Sequence, residues 1–141
     1  MSIDCVFCSI IHKESSASFV FEDDNVVAFL SNRPVNEGHT LVVPKKHYEN
    51  IYEMPEDELA YLFKIVKRVA HAVKDSFEAE GIRVVQNNGS AAGQVIFHFH
   101  VHVIPIKPHQ SFSHGVAYRD KTSGRIPQEL ELDAEKIRQH M

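Results

Sequence analysis

The chain has 141 residues, 43% apolar and 24% charged, with 15 lysines and arginines against 19 aspartates and glutamates. That size and balance suit one domain over residues 1–141 and exclude two independent enzyme domains, a disordered chain or a fibre. A net charge of -4 without any Lys/Arg block speaks against a nucleic-acid partner. No apolar run approaches the ~18 residues of a membrane helix, and Met1–Asp4 lacks the basic start of a secretory signal, so a cytoplasmic, reducing compartment is expected.

In chain order, Phe7, Ile10 and Ile11 stand at helical spacing, which predicts one or two helical turns over Phe7–Lys13. Phe19–Phe21 and Val26–Leu30 flank Asp23-Asp24-Asn25, the pattern of a β-hairpin. Thr40–Val43 reads as a third strand, ended by Pro44. Pro55 and the acids Glu56-Asp57-Glu58 open a long amphipathic helix, with Leu59, Leu62, Phe63, Val66, Val69, Ala70, Val73 and Phe77 on its apolar face. Gly81 is its expected stop. Strands are then expected over Ile82–Gln86 and Val95–Pro105, separated by the polar loop Asn87–Gly93. The last third carries less pattern, though Pro127–His140 reads as a polar helix. Together these elements give an α+β fold with an antiparallel sheet.

Ten histidines are present, and three alternate in Phe97-His98-Phe99-His100-Val101-His102-Val103. A strand has side-chain period two, so Phe97, Phe99, Val101 and Val103 are expected against the long helix and the three imidazoles on the opposite face. At ~3.3 Å per residue, two adjacent rings can converge on one phosphate or one metal, whereas His98 and His102 stand ~13 Å apart. The outer members should therefore serve different ends of a site centred near His100. Imidazole becomes a nucleophile when a hydrogen bond fixes the proton on one nitrogen and leaves the other lone pair exposed. The preceding loop favours phosphate, because Gly89 and Gly93 admit backbone N–H groups close to an anion. Asn87, Ser90 and Gln94 add neutral polar groups, and no Walker-type phosphate loop is present.

The only two cysteines are Cys5 and Cys8, a Cys-x-x-Cys pair. In a reducing compartment such a pair is a metal clamp or a redox pair before it is a disulfide. The βαβ setting of thioredoxin-like redox chemistry is missing, and a structural zinc needs two further ligands, commonly histidines.

These residues resemble the histidine triad (HIT) family, whose HxHxHxx signature reads here His98-Phe99-His100-Val101-His102-Val103-Ile104. The similarity extends through Val26–His47 and Val84–Pro105 and, more loosely, Asp4–Asp24, and the CxxC opening is similar to the bacterial-type subset near the Hint branch. The resemblance implies a HIT-like five-stranded antiparallel sheet with one long helix and short helices, continued across a homodimer. The core would span about residues 4–105, with 106–141 as a C-terminal extension. It implies His100 as the nucleophile at the α-phosphate of a purine nucleotide, His102 and His39 holding phosphate oxygens, and Gln94 bonding the phosphoryl group or bridging atom. Asn87 and Gly93 would lie beside the phosphate and ribose; Val6, Phe7, Ile10 and Phe29 would wall the base. The implied activity is hydrolysis or transfer through a nucleotidyl-histidine, on nucleoside phosphoramidates, acyl-adenylates or dinucleoside polyphosphates, without a catalytic metal. In CxxC-bearing members the structural zinc ligands are similar to Cys5, Cys8, His47 and His98.

Three positions depart from that pattern. Ser31 stands where the Hint branch has a ribose-binding acid, Asn32 where a base contact is apolar, and Val95 where a hydroxyl follows the glutamine. No tryptophan is present to match the C-terminal one of the animal Hint branch. Two alternatives remain beside the leading one. A zinc-dependent hydrolase would use an HxH pair with His39 to activate water, though no carboxylate stands nearby as base. A nucleotide-binding adaptor would catalyse little. The other histidines, His12, His71, His109, His114 and His140, read as exposed or edge residues, and Lys45-Lys46 as a solvated pair.

Overall fold

The computed structural model describes residues 5–108 and 125–141. Helix α1 spans Val6–Ile11, and its N-terminal turn is capped by the Cys5 sulfur, which accepts the Cys8 N–H. Strands β1 (Phe19–Glu22) and β2 (Val26–Leu30) form the expected hairpin. Its turn is fixed by Asp23, whose Oδ1 accepts the N–H groups of Asn25 and Val26, both at 2.8 Å. The other carboxylate oxygen accepts the Tyr61 hydroxyl, tying the hairpin to the long helix.

Strand β3 covers Thr40–Pro44, helix α2 Glu56–Ser76, β4 Gly81–Val85, β5 Val101–Ile106 and helix α3 Pro127–Arg138. The sheet has five strands in the order β1-β2-β3-β5-β4, each pair antiparallel. Every residue of β2 and β3 is buried, since both faces of these strands are covered. Val26, Ala28, Leu30, Val42, Val101 and Val103 pack on one face with α2 and α3. Val27, Phe29, Leu41 and Val43 pack on the other against Phe7, Ile10 and Ile11 of α1. Period-two alternation along each strand thus supplies two apolar layers, and the second one backs the site.

Helix α2 buries Leu62, Ile65, Val66, Val69, Ala72 and Val73, whereas Phe63 is 40% exposed. The apolar stripe is therefore centred on Leu62, Ile65, Val69 and Ala72, one position away from Phe63. The helix also stops before the expected glycine. Glu78 takes the left-handed conformation at φ 50°, and Gly81 instead opens β4. A glycine is required elsewhere: Gly38 has φ +93°, and a Cβ there would lie 2.7 Å from the Phe77 ring. This close approach brings the loop that carries His39 down onto the end of α2.

Strand β5 is shorter than its expected Val95–Pro105 span. It pairs with β3 through Val101, His102 and Val103, and with β4 through His102–Ile106. Residues 94–100 leave the ladder. Alternation persists through the last part of that segment, with Phe99, Val101 and Val103 fully buried in the main core. Phe97 does not join them; it is 41% exposed.

The C-terminal helix is less polar in its packing than its composition suggests. Leu130, Ala134 and Ile137 of α3 complete the main core. Asp133 is buried beside them and accepts both Nε–H and Nη2–H of Arg125, at 2.9 and 3.0 Å. The Arg125 Nη1 reaches Glu37 at 3.3 Å, next to Gly38. His12, His71 and His140 are exposed; His109 and His114 lie outside the described residues, as do Met1–Asp4.

Candidate active site and metal centre

A cleft of about 860 Å³ opens on the α1 side of the sheet. Val6, Phe7 and Ile10 of α1 and Phe29 of β2 form its apolar wall, with Ser31 and Asn32 at the end of β2. His39, His100, His102, Asn87 and Gly93 line it from the sheet and the polar loop. Of the expected site residues, Gln94 does not line the cleft, and His98 belongs to a different cluster. Arg125, Leu130 and Glu131 add a wall that the sequence pattern did not reveal, because it comes from α3.

Hydrogen bonding sets the tautomer of each histidine. His100 Nδ1 lies 2.7 Å from the His98 carbonyl oxygen, which only accepts, so Nδ1 carries the proton and Nε2 holds a lone pair. His39 Nδ1 accepts the Val35 N–H at 3.0 Å, which puts the His39 proton on Nε2. That proton is donated to His102 Nδ1, again at 3.0 Å, leaving His102 protonated on Nε2. The rings of His100 and His102 meet edge to face, 4.9 Å between centroids, and the edge of Phe7 meets His100 at 5.1 Å.

Burial keeps these imidazoles neutral. It pushes His39 down to about 3, helped by its proximity to His102 and His100, and His102 to about 4, helped by His100. His100 is lowered by burial, partly offset by its bond to the His98 carbonyl. The result at neutral pH is an uncharged, donor-and-acceptor-ordered row with one bare nitrogen at its centre.

The loop before the histidines is ordered by internal bonds. Gln94 Oε1 accepts the Gly89 N–H at 2.7 Å, while its Nε2 donates to the carbonyls of Glu49 and Ile96 at 2.7 and 3.0 Å. The Gly93 and Gln94 N–H groups go to the carbonyls of Ser90 and Gly89. The expectation that Gly89 and Gly93 present backbone N–H groups to an anion is therefore corrected. These glycines are needed for their φ of +91° and +96°. The Gln94 amide, expected on the phosphoryl group or bridging atom, is bonded within the loop in this structure.

His98 is fully buried, and its Nε2–H donates to the Pro44 carbonyl at 2.8 Å. Its bare Nδ1 faces Cys5 Sγ at 3.3 Å, Cys8 Sγ at 3.6 Å and His47 Nδ1 at 3.1 Å. Cys8 Sγ and His47 Nδ1 are also 3.3 Å apart, and all four ligand atoms lie within 4.8 Å of one another. A tetrahedral zinc with bonds of ~2.0–2.3 Å needs ligand separations of about 3.3–3.8 Å. The Cys–His separations of 3.3, 3.3 and 3.6 Å match it and the His47–His98 separation of 3.1 Å is slightly short, so the donor set suits that ion after small adjustments. The Cys8 thiol is pushed up to about 11 by burial and by Cys5, an environment in which a bound cation favours the thiolate. Among the described residues, His39, His100 and His102 form no comparable group of converging ligands.

Comparison with known proteins places these features in a family. The HIT domain model matches residues 12–109. The chain is 40% identical over 104 residues to adenylylsulfatase HINT3 of Arabidopsis thaliana, covering 74% of this chain and 53% of the plant protein. A crystal structure of a hypothetical histidine triad nucleotide-binding protein from Sulfolobus tokodaii superposes with a TM-score of 0.86 at 43% identity, over 96% of this chain and 91% of that one. A zinc-bound histidine triad family protein from Mycobacterium smegmatis superposes with a TM-score of 0.83 at 32% identity, over 99% and 94% of the two chains. The triad signature, the fold and the extent of these matches agree: this chain belongs to the HIT domain family.

Proposed function

We propose that this protein is a hydrolase or transferase of purine nucleotide conjugates, acting at the α-phosphate through a covalent nucleotidyl-histidine on His100. The observation that carries this reading is the 2.7 Å bond from His100 Nδ1–H to the His98 carbonyl, which leaves the Nε2 lone pair in the cleft. Attack by Nε2 forms the N–P bond while the bond from phosphorus to the leaving atom breaks, its electron pair departing with that atom. The imidazole then carries substituents on both nitrogens and a positive charge, which the carbonyl on Nδ1–H stabilises. Water opens the phosphoramidate in a second step and regenerates His100.

His102 Nε2–H is oriented by the His39 relay to donate to a phosphoryl oxygen, and Asn87 and Gly93 stand beside the same group. Val6, Phe7, Ile10 and Phe29 offer an apolar slot for a base, with Ser31 and Asn32 near the sugar. Gln94 acts at one remove, by fixing the loop. The names borne by the plant and archaeal relatives, an adenylylsulfatase and a nucleotide-binding protein, support an α-phosphate substrate. The Cys5, Cys8, His47 and His98 set is read as a structural zinc site. The edge strand β4, with Val84 45% exposed, supports a homodimer in which the sheet continues. Among the described residues no helix is long and apolar enough to cross a membrane.

The catalytic-zinc alternative is not favoured, because His98 is committed to the cysteines and His39 to His102. The test is to mix the protein with adenosine phosphoramidate radiolabelled in its α-phosphate and denature it rapidly in alkaline detergent. An acid-labile label on the wild type that is absent from His100→Ala supports the reading. Label retained by the variant removes His100 as nucleophile, and an unlabelled wild type points to an adaptor.

A further inference from the structure

The nucleophile stands outside regular structure. Residues 94–100 make no ladder bonds, and β5 begins only at Val101. The orientation of the peptide group joining His98 to Phe99 must therefore be fixed by other means. Both of its polar atoms are bonded: its N–H donates to the Tyr48 carbonyl at 2.7 Å, and its carbonyl accepts His100 Nδ1–H at 2.7 Å.

Each end of the first bond sits beside a member of the cysteine–histidine cluster. His98 supplies the peptide carbonyl, and its own ring Nδ1 faces Cys5, Cys8 and His47. Tyr48, whose carbonyl takes the N–H, directly follows His47. His47 is exposed and so has little packing of its own to hold it. Cys5 belongs to the start of α1, whose Phe7 meets the rings of both His98 and His100 edge to face, at 5.9 and 5.1 Å. Four ligands from three chain segments thus meet at the His98 ring, and the carbonyl of that same residue sets the tautomer of His100.

We propose that the Cys5, Cys8, His47 and His98 clamp is a positioning device for the nucleophile as well as a structural tie. A cation held there locks the His98–Phe99 peptide plane and so keeps the His100 proton on Nδ1 and the lone pair on Nε2. His98 acts twice, through its ring on the metal and through its carbonyl on the neighbouring imidazole. Without the cation, the His47–Tyr48 segment and α1 are released from His98, and the plane can rotate away from His100. Outer partners of this kind commonly alter activity by about 10–100-fold when lost.

The inference rests on His100 being the attacking group, so its test includes a reading independent of turnover. Histidine-labelled protein is compared with zinc bound, stripped by chelator and reloaded with zinc, using long-range proton–nitrogen spectra without nucleotide. Bound protein is expected to show His100 as a single tautomer protonated on Nδ1. Stripped protein should show a mixture of tautomers that reverts on reloading. In single-turnover experiments the rate of protein labelling should fall about 10–100-fold on stripping, while nucleotide affinity changes less than about twofold. Cys8→Ser should match the stripped protein. Should the stripped protein unfold, His47→Gln supplies the comparison, because this exposed substitution leaves three ligands in place. An identical His100 spectrum with and without zinc, or a protein that takes up no zinc, overturns the proposal. A clear tautomer change in a protein that never becomes labelled would instead sink the nucleophile reading and leave the clamp's effect on His100 standing.

Discussion

Replacing His39 with asparagine should remove a specific part of the protein's acid sensitivity. His39 is 3% exposed, accepts the Val35 N–H and donates to His102, so it is held neutral, its pKa pushed down to about 3. In the unfolded chain the same side chain titrates near ~6.5. Its folded value is depressed, so its contribution is fully present above the unfolded pKa and is lost as pH falls from there towards about 3. The slope in that window is about 1.4 kcal/mol per pH unit. Between pH 7 and pH 5 the loss from this one residue is about 2 kcal/mol. Asparagine keeps an acceptor for Val35 and does not titrate. Urea unfolding of both proteins at the two pH values isolates the effect, because every other titrating group is common to them. His39→Asn is expected to be less stable than wild type at pH 7, by about 1–3 kcal/mol, with the gap narrowing by about 2 kcal/mol at pH 5. A gap that does not change with pH would mean that His39 accepts a proton in the folded protein, and the relay to His102 would be wrong.

Gly38→Ala should destabilise by about 2–4 kcal/mol in urea titrations, from left-handed strain and overpacking against Phe77 together; a change under about 0.5 kcal/mol would show that this loop does not seat on α2. Ile137→Ala should cost about 2–5 kcal/mol, as for any fully buried isoleucine, and a negligible loss would mean α3 does not contribute to the core. Metal analysis of protein purified without chelator should find about one zinc per chain, lost in Cys5→Ser, and zinc retained by that variant would remove Cys5 from the ligand set.

The parts of the fold that could be read in advance are those written in side-chain periodicity. Val26–Leu30 and Thr40–Val43 declared their strands, and the alternation of His98, His100 and His102 declared a shared face. The CxxC pair left a metal clamp or a redox pair open, and the clamp reading with its other ligands came from the family resemblance. Other features depend on backbone groups, which have no residue-type signature. The carbonyls of Pro44, Tyr48 and His98 set the tautomers and tether the site, yet any residue there would offer the same atom. The late start of β5 followed from where β3 and β4 supply partners, a property of the sheet and not of Val95–His100. For Gln94, an amide that bonds a phosphate and one that staples a loop look the same as a letter, so its bonds to Gly89 and Glu49 have no signature in the sequence. Helix α3 was underrated because Leu130, Ala134 and Ile137 are diluted among charged neighbours.

Helix α3 also decides when the cleft comes into being during synthesis. Val6 and Phe7 are synthesised well before Leu130 and Glu131, which face the same space. A nascent chain that has reached Pro108 already carries every histidine of the relay and all four clamp ligands, but one wall of its binding space is still missing. Docking of α3 therefore completes the cleft only after the relay histidines and the clamp residues are already in the chain.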